Sequence, residues 1–544
     1  MWRAIPDELS SRIMRTVFVV LMLRRTMGFV LLMGVTVMPV ATHAQYPSVP
    51  PPPPCHDARS AQRHRTPRAP DNRSVGIVQF QNTASDGDDA FLGRSLTERL
   101  VERLLAAGGL RVVASQRFGY EQVATPGGAA AVSRALGVGH ILAARVGRAE
   151  TGEVSIDALV LRASDGTAVL QISRMSTLRD LPAVEAGVTE AVLDAVIGRK
   201  SGGKIEEARL AGWSDPPSGE TVEHFLRGEY YASLNTGPGY ESALSQYDSA
   251  AKVDPAFAPG FASSALTVAT ILEWGWWNFD PARVHELTDR GLAAAGRALR
   301  LDSTSADAWL ARASLLGFRN PKSYTGVFSA YTRAIGYSPR NPEAHHWYGR
   351  ALMQLGEGSA ARRELARALE LAPGDAGVLF DLAQLARHEG RYSEACILLD
   401  SAVAANPRAA QAYVLRALTR ARRGELRFAW ADAETGGRLG WPLWGQAAGA
   451  VIDAQARDTS SARDRTKALR EATAAWGTDP QHWTGEYLAA ALVASGETSR
   501  ALDLLESVQP RGARLWFALT GPEFASLRKN QRFRKLLAAS RPGR

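Results

Sequence analysis

With 544 residues, 45% of them apolar and 22% charged, the chain is too long for one hydrophobic core and too ordinary in composition to be disordered throughout. Its formal charge of +9 is no sign of a nucleic-acid protein, because six of those nine charges fall within residues 1–73. No nucleic-acid partner is expected.

At the amino terminus, Arg12, Arg15, Arg24 and Arg25 precede an apolar run over 27–41, followed by Thr42, His43 and Ala44 before Gln45. A basic segment, a short apolar segment and small residues before a cleavage point describe a secretory signal peptide over residues 1–44, with Met14 an alternative start. The run of about 15 residues falls short of the roughly 20 that span a bilayer. Membrane contact is therefore expected only through an uncleaved amino terminus, and the body is expected in the periplasm or exported beyond it. Residues 45–73 are rich in Pro and Arg, with five consecutive prolines over 50–54, and read as a disordered, extended spacer. The two cysteines, Cys55 in this spacer and Cys396 on an apolar helix, are read as unpaired, with Cys396 a small core residue.

Residues 74–198 form the first folded unit. A buried strand is expected over 74–80, then a helix whose start is marked by the capping-box pair Ser95 and Glu98 and whose end is marked by Gly108 and Gly109. A strand over 110–114, a short helix over 129–136 and a strand over 141–146 follow. Two strands meet at a turn around Asp165 and Gly166, and a helix over 182–197 closes the unit. The β-α-β start favours parallel pairing within a mixed sheet.

The strings VGIVQFQN, FLGRSLTERL, LRVVA, ALGVGHILAARV and VSIDALVLRASDGTAVL, in this order over about 110 residues, resemble the TolB-type amino-terminal domain. Gln79 departs from the proline common in that family. The resemblance implies a protein-interaction module of the kind that stands before tetratricopeptide repeats, including in signalling proteins that carry a cyclase or kinase. The loop acids Asp86, Asp88 and Asp89 lack the ligand ladder of a calcium loop and read as a solvated turn.

Residues 199–219 are read as a hinge linker. Beyond them, Pro339, Pro373 and Pro407 recur every 34 residues, as do Ala361, Ala395 and Ala429, Leu365 and Leu399, and Ala368 and Ala402. That period is the length of one tetratricopeptide (TPR) helix–turn–helix unit, so residues 220–510 are expected to build an all-α solenoid of roughly six to eight units. Gly356 and Gly390 mark turns, and Trp274, Trp276 and Trp277 lie near another. Residues 511–544, with Leu519, Phe524, Leu527, Phe533 and Leu536, are expected to cap the last repeat.

No catalytic or metal-binding motif is present, His345 and His346 point about 100° apart, and Glu206 and Glu207 read as linker, so neither enzyme activity nor a cofactor is expected. Matching the repeat pattern places His346, Arg350, Met353, Phe380, Gln384, Arg387, His388, Gln411, Val414 and Leu418 on the concave side. Arg350 and Arg387 are expected to clamp a partly acidic peptide or a chain's carboxylate end. The leading expectation is a non-enzymatic exported scaffold that binds a protein or peptide. The alternatives are the membrane-anchored sensory part of a signalling regulator and a hydrolase with an unrecognised site in the α/β unit.

Overall fold

The computed structural model describes residues 54–55, 71–83, 89–125, 127–198, 217–274, 281–321, 324, 326–440, 442–475, 484–508 and 512–543. The signal segment, Asp86 and Asp88, most of the 199–219 linker with Glu206 and Glu207, and Trp276, Trp277 and the Trp274 side chain lie outside them.

The first domain is an α/β unit. Strands β1 (Asp71–Gln79), β3 (Arg111–Gly119), β4 (Val138–Arg148), β5 (Val154–Arg162) and β6 (Ala168–Ser176) form a sheet in the order β3-β1-β4-β5-β6, with the short β2 (Gln81–Asn82) paired to β4. β1 lies parallel to both β3 and β4, while β4, β5 and β6 run antiparallel. The Asp165–Gly166 turn joins β5 to β6, with Gly166 at φ +70°. Two longer helices, α1 (Ala90–Ala107) and α4 (Leu181–Ile197), pack on one sheet face, and the short α2 (Tyr120–Ala124) and α3 (Gly128–Leu136) lie on the other, against β3, β4 and β5.

The start of α1 differs from expectation. It begins at Ala90, more than a turn before Ser95, whose buried hydroxyl donates to the Leu226 carbonyl of the next domain at 2.9 Å. Ser95 is an interdomain contact, not a cap, and Glu98 pairs with Arg94. Gly108 and Gly109 do end the helix, both at positive φ.

Eight antiparallel helix pairs follow among the described residues: α5 (Gly219–Ser233) with α6 (Gly237–Val253), α7 (Ala258–Trp274) with α8 (Pro281–Leu301), α9 (Ala306–Arg319) with α10 (Val327–Tyr337), α11 (Pro342–Gln354) with α12 (Gly358–Leu371), α13 (Ala376–His388) with α14 (Tyr392–Ala405), α15 (Ala410–Arg422) with α16 (Leu426–Arg438), α17 (Pro442–Gln455) with α18 (Thr459–Ala475), and α19 (Thr484–Ala494) with α20 (Thr498–Ser507). The period is visible in the packing. Ala361, Ala395, Ala429, Leu365, Leu399, Ala368 and Ala402 are all fully buried. Gly356, Gly390 and Gly424 turn the chain between paired helices at φ +78°, +74° and +80°, a conformation costly for any side chain. At Gly349 an added Cβ would lie 2.8 Å from Leu365 Cγ, which fixes how closely α11 and α12 approach.

The two domains share a core. Leu96, Leu100 and Leu104 of α1 pack in one buried cluster with Val222, Phe225, Leu226 and Tyr247 of the solenoid. Among the described residues no helix is long and apolar enough to cross a membrane.

The cysteine reading is corrected. Cys55 and Cys396 form a disulfide across 341 residues, so the Pro-rich segment is pinned to α14 at that point and is not simply a spacer. The bridge rests on a buried ionic network. Cys55 N donates to Asp400 Oδ2 at 2.7 Å, and Arg420 Nε reaches Cys55 Sγ at 3.3 Å while its Nη1 donates to Asp432 at 2.7 Å.

Candidate functional site

The inner surface of the solenoid is built by first helices of successive pairs, chiefly α11, α13 and α15. Small residues at the pair contacts let these helices stack so that one face of each turns inward. That surface is not open. After α20 the chain returns as α21 (Ala513–Leu519), a 3₁₀ segment (Pro522–Lys529) and α22 (Gln531–Ser540). α21 packs on α11, the 3₁₀ segment on α19, and α22 on α20. The expected caps Phe533 and Leu536 are buried with Leu502 and Leu505 of the last pair, whereas Phe517 enters the concave side beside Leu352, Met353 and Leu385.

Between the inner helices and this returning segment lie two adjoining spaces of about 100 and 130 Å³, both bordered by Glu273, Arg350, Gln354, Glu486 and Arg514. Of the side chains assigned to the groove by sequence, Arg350, Met353, Gln384, Arg387, His388 and Leu418 line the first space. The other four stand off from it. His346 is held at its edge by Asp381, Phe380 packs outward with the α13–α14 core, Val414 is fully buried against α16, and Gln411 lies off the lining.

Asp381, Arg350, Arg387 and Glu523 are paired within the chain. Asp381, only 2% exposed, receives His346 Nε2 at 2.8 Å and Arg350 Nε at 2.9 Å. Burial pushes its carboxyl up, but Arg350 and His346 outweigh this and hold it below the usual range. Arg387, 4% exposed, pairs with Glu523 of the returning segment. Neither arginine is a solvated surface group. His388 is wedged between backbone carbonyls, Nδ1 on Gln384 O at 3.0 Å and Nε2 on Phe517 O at 3.0 Å, and burial pushes its pKa down. Burial raises Glu486, facing Arg514 across the space, to about 7. His345 turns away to Glu364, as its position next to His346 requires.

Sequence reasoning missed Asp381, Glu273, Glu486, Arg514, Phe517 and Glu523. A signal existed for Asp381, which follows His346 by one repeat and one residue and so falls on the same inner face. Glu523 had none, because its place depends on the tail turning back into the solenoid. The disulfide had a signal: the amino terminus reads as a secretory leader, and on that reading two cysteines are expected to pair. As for metals, the Cys55, Cys396 and Glu425 cluster is the one group of potential ligands among the described residues, and two of its members are spent in the disulfide.

The match to a protein family agrees with the repeat reading. The tetratricopeptide repeat family matches over residues 342–385, which spans α11 to α13. A curated relative, "Putative adenylate cyclase 3" of Rhizobium meliloti (strain 1021), is 26% identical over 211 residues, 38% of this chain and 35% of its own length. The chain thus spans about a third of that relative. Among solved structures, yeast Tom70 aligns with TM-score 0.37 and 15% identity over 66% of this chain and 82% of its own. Pseudomonas aeruginosa PilF aligns with TM-score 0.33 and 17% identity over 39% and 92%. The chain carries a solenoid of tetratricopeptide repeats behind an α/β domain.

Proposed function

We propose that this chain is a non-enzymatic, exported scaffold that takes a protein or peptide partner on the concave face of its repeats. The observation that carries this reading is the convergence of Arg350, Met353, Gln384, Arg387, His388 and Leu418 on one space in which a carboxylate, Glu523, already sits on Arg387. A surface that holds one acidic, aromatic segment has the chemistry to hold another. Export is supported by the signal-like leader and by the Cys55–Cys396 bridge, since disulfides persist in oxidising compartments. The strand and helix order over 71–198 supports a TolB-type module, which in this chain braces the first repeats through Phe225 and Ser95.

The test is photocrosslinking in the native envelope from a benzoylphenylalanine placed at Gln384, with Arg363 on the outer helix as control. Adducts to another protein at Gln384 and none at Arg363 are expected. Equal adducts, or adducts only at Arg363, would move the partner off the concave face.

A second reading, the sensory part of a membrane-anchored signalling regulator, draws support from the relative named as a putative adenylate cyclase. Mass spectrometry of the native chain separates the two. A soluble species beginning near Gln45 favours the exported scaffold, and an intact amino terminus in the membrane fraction favours the regulator.

A further inference from the structure

Residues 513–524 run along the inside of the solenoid as a ligand would, though they belong to the same chain. At one end Ala513 N donates to Pro321 O at 3.3 Å. At the other, Pro522 O accepts from Arg422 Nη2 at 2.6 Å. Between them the Phe517 ring stacks on His388 with centroids 3.9 Å apart, and its carbonyl accepts from the same ring at 3.0 Å. Trp516 lies against the turn at Gly356, where an added Cβ would come within 2.8 Å of its ring. Glu523 closes on Arg387.

The receiving positions follow the repeat. Gln354, His388 and Arg422 are 34 residues apart, at or next to the carboxy-terminal ends of α11, α13 and α15. Two of these equivalent side chains bond backbone carbonyls of the segment, at Phe517 and Pro522, while Gln354 borders the adjoining space. A ladder of donors at one repeat position reads a running backbone, and sequence preference comes from what lies beside it: an aromatic pocket at Gly356 and His388, and a cation at Arg387.

We propose that residues 513–524 are a built-in ligand of the concave face, displaced by a segment of another protein with the same chemistry. That segment carries two adjacent aromatic side chains and a carboxylate six residues beyond the second. The inference rests on the concave face being the partner site. Because Leu515, Phe517 and Leu519 are all buried, an incoming segment displaces the tail only by replacing those apolar contacts, which selects against merely acidic peptides. The tether presents the tail at an effective concentration on the order of millimolar, so the wild-type chain favours the closed arrangement.

The test uses a fluorescent peptide of residues 511–526, titrated into the full chain and into a full-length variant with Phe517→Ala and Glu523→Gln. The opened variant should bind the peptide roughly 10²–10³-fold more tightly than wild type, the gain expected when a tethered competitor is weakened. A peptide bearing the same two substitutions should bind neither, and adding Arg387→Glu to the opened chain should remove binding. A folded opened chain that binds both peptides alike, or neither, overturns the proposal. Should the double variant fail to fold, Glu523→Gln alone leaves the apolar contacts in place. It should raise affinity about tenfold, the scale of one charged contact, and no rise overturns the proposal equally. Crosslinks from Gln384 combined with no peptide binding would leave the concave face as partner site and overturn only the tail's role. Absence of both overturns both.

Discussion

At the scale of single residues, the molecule is governed by buried charges that have found partners inside the chain. Asp381 accepts from both His346 and Arg350, and it lies closer to Arg350 than Glu273 does, at 2.9 Å against 3.8 Å. Asp381→Asn should therefore lower stability by about 3 kcal/mol, the cost of breaking a buried pair from one side. Urea unfolding would read this as a lower midpoint at unchanged slope. A midpoint shift near zero would mean that the pair is solvated. The 34-residue period carries side-chain direction with it, which is why the sequence could assign Arg350, Arg387 and His388 to one face, and all three line the first space. It could not show that each was already engaged. Partners such as Glu523, 136 residues from Arg387, are brought close only by the path of the tail.

At the scale of elements, the period determined almost everything and the exceptions lie where two elements distant in sequence meet. The small residues at 361, 395 and 429 and the leucines at 365 and 399 made the pairs legible, because each fills the same contact in each unit. Gly349→Ala should cost about 1–3 kcal/mol by overpacking against Leu365, visible as a lower thermal midpoint, whereas Gly296→Ala on α8, whose nearest neighbour is a mobile arginine end, should be neutral or stabilising. The start of α1 was misread because Ser95 and Glu98 have cap spacing, yet the Ser95 hydroxyl serves the Leu226 carbonyl of α5 instead. The Cys55–Cys396 bridge belongs to this scale too. Cys55→Ser should lower stability by about 2–5 kcal/mol for the loss of so long a closed loop. In the native wild type, a maleimide applied under denaturing conditions should label neither cysteine until a reductant is added. Labelling of both without reductant would contradict the bridge and weaken the argument for export.

At the scale of the whole molecule, the α/β domain and the first repeats share one core, so they should unfold together. Phe225 packs edge-on against Phe257 with centroids 5.3 Å apart and shares a buried cluster with Leu96 and Leu100. Phe225→Ala should lower the midpoint of both domains, as followed by hydrogen exchange in β1 and in α6. The same junction gathers acids. Burial raises Glu229 to about 8 and Glu343 to about 7, and raises Glu102 and Asp307 as well. Glu229 faces Arg99 together with Glu185, Glu98 and Asp307, and Glu343 faces Asp307 and Asp375. These groups hold protons in the folded state that the unfolded chain releases near its ordinary carboxyl pKa. Their contribution is complete below that value and is lost as pH rises through the folded values. Thermal midpoints should therefore decline from about pH 5 to about pH 8 and level off beyond. Glu229→Gln should flatten part of that slope, and a flat profile in the wild type would contradict the junction's electrostatics.

In the proposed arrangement the concave face is a ligand surface held closed by a removable part of the chain. Hydrogen exchange of the intact wild-type protein tests this most directly, since no substitution is needed. Backbone amides of residues 516–524 should exchange through an opening well below global unfolding, on the order of a hundredfold faster than amides in α11 and α13. Exchange of the tail at the same rate as those helices would contradict the claim and make the tail a permanent part of the solenoid.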